Sequence, residues 1–246
     1  DVYVMNRLGA INDGKPVYSM FALDMHVAKE EIPVASGAPV YVGLDFGLTP
    51  AAVIGQKIRG RWLILQEIVA FDMGIVRFSE ILREELVTKF TGCEAMIFGD
   101  PSGDFRAQTD ESTPFQILRG AGLKAIPAPS NDVALRIESV SAPLQRMVDG
   151  KTGLLIDPRC RELIKGFEGG YGYKRMQVSG ERYDDKPEKN RFSHIHDACQ
   201  YMMLGAGEGR NLISNHKPMQ SFNARKGFDV FTRKPKRDKT RSLWSR

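Results

Sequence analysis

Tyr41-Val42-Gly43-Leu44-Asp45-Phe46-Gly47 reads as a short apolar strand that ends on one carboxylate. Successive side chains of a strand point to opposite faces. Val40, Val42, Leu44 and Phe46 therefore share one face, and Tyr41, Gly43, Asp45 and Gly47 the other. The first set is a core face. The second sets two glycines beside an acid, which leaves open backbone around Asp45 for something to approach closely. Taken alone, Asp45 is as readily a turn residue before Leu48-Thr49-Pro50, because Asp and Gly are common at strand ends.

Downstream, Ala51–Ile58 and Trp62–Val69 are β-rich runs flanking Arg59-Gly60-Arg61, a hairpin signal. Ile75, Phe78, Leu82 and Leu86 recur at helical spacing, so the spacing predicts an amphipathic helix over Gly74–Phe90. Ala95–Gly99 is a short buried strand that, like the first, runs into Gly-Asp, here Gly99-Asp100. A loop over 101–113, a short helix over Phe115–Gly122 and a brief strand at Leu123–Ile126 follow. Asp132–Val148 is helical by periodicity, with Pro143 expected to kink or break it. Gly153–Ile156 is a strand, and Asp157-Pro158 reads as the start of a helix to Phe167. Residues 168–192 mix Gly, Tyr and charge and read as a hairpin flap facing nucleic acid, because basic and aromatic residues interleave, with an ordinary solvated connection as the alternative. Ser193 is the expected N-cap of a last helix to Ala206, whose apolar stripe (Ile195, Ala198, Cys199, Met202, Met203, Ala206) leaves Asp197 in the first turn, pointing away.

The composition, 42% hydrophobic and 26% charged, suits a globular domain with extensions. No apolar run reaches the roughly 18 residues of a membrane span. Cys93, Cys160 and Cys199 are odd in number and widely spaced, which argues for a reducing compartment and against a zinc site. The net charge of +5 is uneven: residues 210–246 carry 11 Lys and Arg against Asp229 and Asp238, leaving 24 basic and 28 acidic residues in 1–209. Such a basic tail, here with Phe222, Phe228, Phe231 and Trp244 among its charges, suits nucleic acid or an acidic partner. Asp1 in place of Met suggests a fragment or processed chain, with 1–39 a lead-in in which Val17–Phe21 has strand character. Gly150-Lys151-Thr152 resembles the end of a phosphate-binding loop, but Gln145 stands where its first glycine belongs.

The predicted architecture is thus α/β, a mixed sheet flanked by helices, with Asp45, Asp100 and Asp197 at element ends. Oxygen ligands of this kind suit Mg²⁺ or Mn²⁺ in phosphoryl transfer, where a few carboxylates, water and substrate phosphate share the ion. Each acid also has a plain explanation: Asp100 as a turn residue before Pro101, Asp197 as a complement to a helix dipole.

Tyr41–Thr49 (YVGLDFGLT), Ile97–Gly103 (IFGDPSG), Asp149–Pro158 with Cys160, and Ser193–Tyr201 (SHIHDACQY) resemble the C-terminal nuclease domain of the large terminase subunit of tailed bacteriophages. The resemblance spans about residues 15–209. It implies an RNase H-like mixed central β-sheet flanked by α-helices over 40–209. It also implies a viral enzyme of the host cytoplasm that cuts concatemeric double-stranded DNA during packaging by a two-ion mechanism. Asp45, Asp100 and Asp197 would hold the Mg²⁺ or Mn²⁺ ions, with His194 positioning water or supporting a ligand. Partners implied are double-stranded DNA, the portal or procapsid and the terminase small subunit; the ATPase domain of the packaging motor would lie upstream and is absent here. Arg106, Lys174, Arg175, Lys186, Lys189 and Arg191 are candidate phosphate contacts and equally plain surface charges. Asp104 reads as a loop acid, and His196 and Tyr201 as structural. The basic tail over 210–246, expected to be flexible, would dock the portal or bind DNA nonspecifically. Three other readings stay open: a junction resolvase or integrase of the same fold; a sugar-kinase or actin-like ATPase, because Asp45–Thr49 also fits a first phosphate loop; and a non-catalytic docking module.

Overall fold

A computed structural model describes residues 14–47, 49–104, 112–176 and 182–209. The start of the lead-in, Arg106, the tip of the flap and the basic tail lie outside them. The alternating run seen in the sequence forms the centre of a six-stranded sheet. Its strands are β1 (Val40–Asp45), β2 (Ala51–Ile58), β3 (Arg61–Val69), β4 (Ala95–Gly99), β5 (Ala125–Pro127) and β6 (Leu154–Ile156). The spatial order is β5-β4-β1-β2-β3-β6. β1, β2 and β3 form an antiparallel meander, while β4 and β5 add in parallel on one side and β6 pairs in parallel with β3 on the other. The sheet is mixed, as expected.

Both faces are covered. On one lie α1 (Ile75–Lys89) and α2 (Pro114–Gly120), whose Phe78, Leu82, Phe115 and Leu118 pack on Val40, Val42, Leu44 and Phe46. On the other lie α3 (Val133–Gln145), α4 (Arg161–Lys165) and α5 (Ser193–Gly205) over Ala51, Val53, Trp62 and Ile64. Fully burying a side chain such as Phe78 or Leu82 contributes about 1.5–3 kcal/mol, so the two faces of β1 anchor the domain. The helix expected over Gly74–Phe90 forms with those two residues as its caps. That over Asp132–Val148 starts on its Asp132 cap but ends at Gln145, two residues past Pro143, and Met147–Val148 instead pairs with Lys151–Thr152. The Gly150 region is thus a hairpin turn.

Several local expectations are corrected. Val17–Phe21 is a turn and not a strand; Tyr18 is buried against Phe167 and Tyr171, which ties the described part of 14–39 into the core. Asp157 does not cap a helix. It accepts from the Ile32 and Arg159 backbone N–H groups, and α4 begins only at Arg161. The first backbone N–H groups of α4 donate instead to the Glu67 carboxylate on β3, at 2.9 and 2.8 Å. Ser193 is the first residue of α5 and not its cap; Asn190 holds this start, accepting from Phe192 N through its side chain and from Ser193 Oγ through its carbonyl.

Candidate active site

Register places the first two acids. β1 and β4 run parallel with Leu44 opposite Gly99, and the Asp100 N–H donates to the Leu44 carbonyl at 3.1 Å. Asp45 and Asp100 therefore end neighbouring strands side by side. In an open α/β sheet ligands gather outside such carboxyl ends.

Gly43 places the third. A Cβ on Gly43 would lie 1.9 Å from the Ala198 carbonyl oxygen and 2.7 Å from Met202, so α5 seats directly on the β1 backbone. This corrects the expectation that Gly43 leaves room for a ligand: the room is filled by the helix. Gly47, with nothing within 4 Å of an added Cβ, stays open. The close seat brings Asp197, next to Ala198, under the strand ends. Asp197 is 2% exposed and lies in the second turn of α5, since that helix has no acid in its first turn. The stripe expected on this helix does face the core through Ile195, Ala198, Cys199, Met202 and Met203, yet Asp197 is covered too. Residues Ile195–Leu204 are buried without a break, the mark of a helix packed all round. The dipole explanation of Asp197 therefore loses its footing.

Each carboxylate is held by its own chain. His194 is half-buried, and its Nδ1 lies 2.9 Å from Asp45 Oδ2. Asp45 is 6% exposed. Burial pushes its carboxyl up, against the hydrogen bond from His194, and that same bond raises the imidazole above its ordinary range. With Asp45 as the carboxylate, the His194 Nδ1–H donates to it. Asp100 accepts from the Ser102 N–H at 2.8 Å and the Asn131 side-chain amide at 3.3 Å. Asp197 meets two cations: Arg136 Nη1, 3.1 Å from Oδ1, and Lys189 Nζ, hydrogen-bonded to Oδ2. The Arg136 contact is an ion pair by distance but is not aligned as a hydrogen bond, so Asp197 Oδ1 has no hydrogen-bond donor.

Three residues that sequence reasoning left out of the site join its parts. Arg136, buried on α3, lies 4.7 Å over the Tyr201 ring. The Tyr201 hydroxyl donates to Asn131 Oδ1 at 2.7 Å, and Asn131 reaches Asp100. Burial pushes the Tyr201 phenol well up, Arg136 pulls against that, and Asp100, Asp197 and Asp45 add to the rise. One phenol thus feels all three carboxylates. A signal for Arg136 was present: it shares a helical face with Val140 and Leu144, so it is an arginine on a core stripe.

As donors, the three acids fit a hard divalent cation, which takes carboxylate oxygens. Their present grouping is looser. Among the described residues no three His, Cys, Asp or Glu side chains gather closely enough to hold an ion. Of the candidate phosphate contacts, Lys174, Arg175 and Lys186 are exposed; Lys189 pairs with Asp197, and Arg191 with Glu162. Arg106 and the Asp104 side chain lie outside the described residues. No described helix is long and apolar enough to cross a membrane.

No family model and no curated protein matches the sequence. Solved structures do. The large terminase of a thermophilic bacteriophage, in its third crystal form, matches at 23% identity and a TM-score of 0.60, over 77% of this chain and 45% of that one. The P22 large terminase nuclease domain matches at 11% identity and TM-score 0.54, covering 80% and 96%. The large terminase nuclease of thermophilic phage G20c with bound cobalt matches at 12% identity and TM-score 0.50, covering 80% and 97%. The chain spans under half of the first of these proteins and nearly the whole of the two nuclease domains. Its mixed six-stranded sheet with flanking helices is the RNase H-like fold of the large terminase nuclease domains.

Proposed function

We propose that the chain is a metal-dependent endonuclease domain that hydrolyses phosphodiester bonds of concatemeric viral double-stranded DNA during genome packaging. The observation that carries this reading is that Asp45 and Asp100 end neighbouring parallel strands while α5, which carries Asp197, is seated on Gly43 of the first of them. The likeness to terminase nuclease domains supports it, as does the cobalt bound in the G20c nuclease. Asp45, Asp100 and Asp197 would hold Mg²⁺ or Mn²⁺. When bound, the metal would supply positive charge against the charge that develops on the phosphate and the departing 3′ oxygen.

The remaining residues orient those ligands. His194 donates to Asp45 and fixes its rotamer; Asn131 and the Ser102 N–H fix Asp100; Arg136 fixes Asp197. Partners of this kind set both the direction and the basicity of a ligand. Lys174 and Arg175, exposed ahead of α5, would contact phosphates and position the duplex without reading sequence. The terminase reading brings with it a host-cytoplasmic setting and the portal, small subunit and ATPase domain as partners. The test is nicking of supercoiled plasmid in Mn²⁺ or Mg²⁺. Cleavage should stop with chelator and with Asp45→Ala; a purified Asp45→Ala protein that cuts at the wild-type rate removes the assignment.

A further inference from the structure

Asp197 carries two cations of different kinds. Arg136 is buried with it, at side-chain exposures of 6% and 3%, and is fixed by its stack on Tyr201. Removing such a partner leaves an uncompensated buried charge, so Arg136 is a permanent part of the site and occupies the Oδ1 side. Lys189 sits on the Oδ2 side, and its side chain is 73% exposed. It belongs to the segment that precedes α5, on a flexible stem, and loses little by swinging into water. The outward oxygen of Asp197 is therefore capped by a charge that can leave.

We propose that Lys189 is a tethered counter-ion that occupies the divalent-metal position on Asp197 Oδ2 and must be displaced before the metal binds there. The inference rests on the metal-site reading above and adds a competitor to it. A positive charge removed from this position lowers the cost of bringing in another; for a largely exposed lysine the gain is modest.

The experiment measures Mn²⁺ binding to the full chain, by calorimetry and by loss of the free-ion paramagnetic resonance signal, for wild type, Lys189→Ala, Lys189→Arg and Lys186→Ala. Circular dichroism checks that each is folded. Lys189→Ala should bind Mn²⁺ roughly fivefold more tightly than wild type at low salt. That gain should shrink as ionic strength rises. Lys189→Arg should return the affinity towards wild type, and Lys186→Ala, an exposed charge nearby in sequence, should leave it unchanged. Equal or weaker binding by Lys189→Ala overturns the inference while the metal site stands, as does a gain matched by Lys186→Ala. Absence of Mn²⁺ binding in wild type and Lys189→Ala alike overturns both the inference and the metal-site reading.

Discussion

His194 and His196 stand two residues apart on α5 and have opposite surroundings. His194 is half-exposed and bonded to the Asp45 carboxylate, which holds its imidazole above the ordinary range. His196 is buried in an aromatic box, stacked on Tyr171 with centroids 4.8 Å apart and meeting the Phe167 edge at 4.6 Å. Burial pushes it down to about 3; the Leu163 backbone offsets little of this, and neither ring nitrogen has a well-formed hydrogen bond. Two residues of helix are roughly 200° of rotation, enough to move from the acid cluster to the apolar packing. One side of α5 is built for charge and the other for its exclusion, and Gly43 sets how tightly the helix is pressed between them.

The contrast breaks most readily on the charged side. Asp45→Asn keeps shape and removes charge. It should lower Mn²⁺-dependent plasmid cleavage by about a hundredfold or more, measured as initial nicking rates; a rate within a few-fold of wild type would make Asp45 a turn residue after all. His194→Ala acts through Asp45, and the expected loss is about 10- to 100-fold in activity or metal affinity. A loss in Mn²⁺ affinity that His194→Asn partly restores marks a positioning role.

The seat of the helix comes next. Gly43→Ala forces a methyl into the Ala198 carbonyl and should cost about 1–3 kcal/mol of stability. Urea unfolding checks this, and an unchanged midpoint would mean α5 does not bear on β1.

The apolar side shows itself through pH. The imidazole of His196 titrates near 6.5 when unfolded and near 3 when folded. Between those values the unfolded chain binds the extra proton, so acid favours unfolding. This group's contribution is intact above about pH 6.5 and is lost as pH falls towards 3, by up to about 1.4 kcal/mol per unit. His196→Phe should flatten the pH dependence of the unfolding midpoint between pH 6.5 and 4. A profile parallel to wild type would place His196 outside the acid response.

The two sides of α5 were unequally legible in the sequence. Alternation fixed the register of Val40–Asp45, and helical spacing marked out the last helix, because period-2 and period-3.6 patterns are local properties of the chain. The role expected of His194 comes from the family resemblance and not from that stripe, and His196 reads simply as structural. The stripe marked the core side of the helix correctly, but Asp197, opposite it, is covered by other elements and lies one turn further in than expected. Arg136, Asn131 and Tyr201 depend on contacts between residues 31 or more apart, such as Asn131 with Asp100 or Tyr201, which no local pattern encodes. Gly43 was noticed for the right physical reason, its missing side chain, but the neighbour it admits is α5. Glu67 as the cap of α4 is likewise a pairing across 95 residues.

The central claim is that Asp45, Asp100 and Asp197 form one metal centre. Crystals soaked in Mn²⁺ and measured at the manganese absorption edge test it most directly. The account predicts an anomalous peak bounded by these three carboxylates, with Lys189 turned away from Asp197. A soak that leaves no peak among them, with Lys189 still on Asp197 at saturating Mn²⁺, would contradict it.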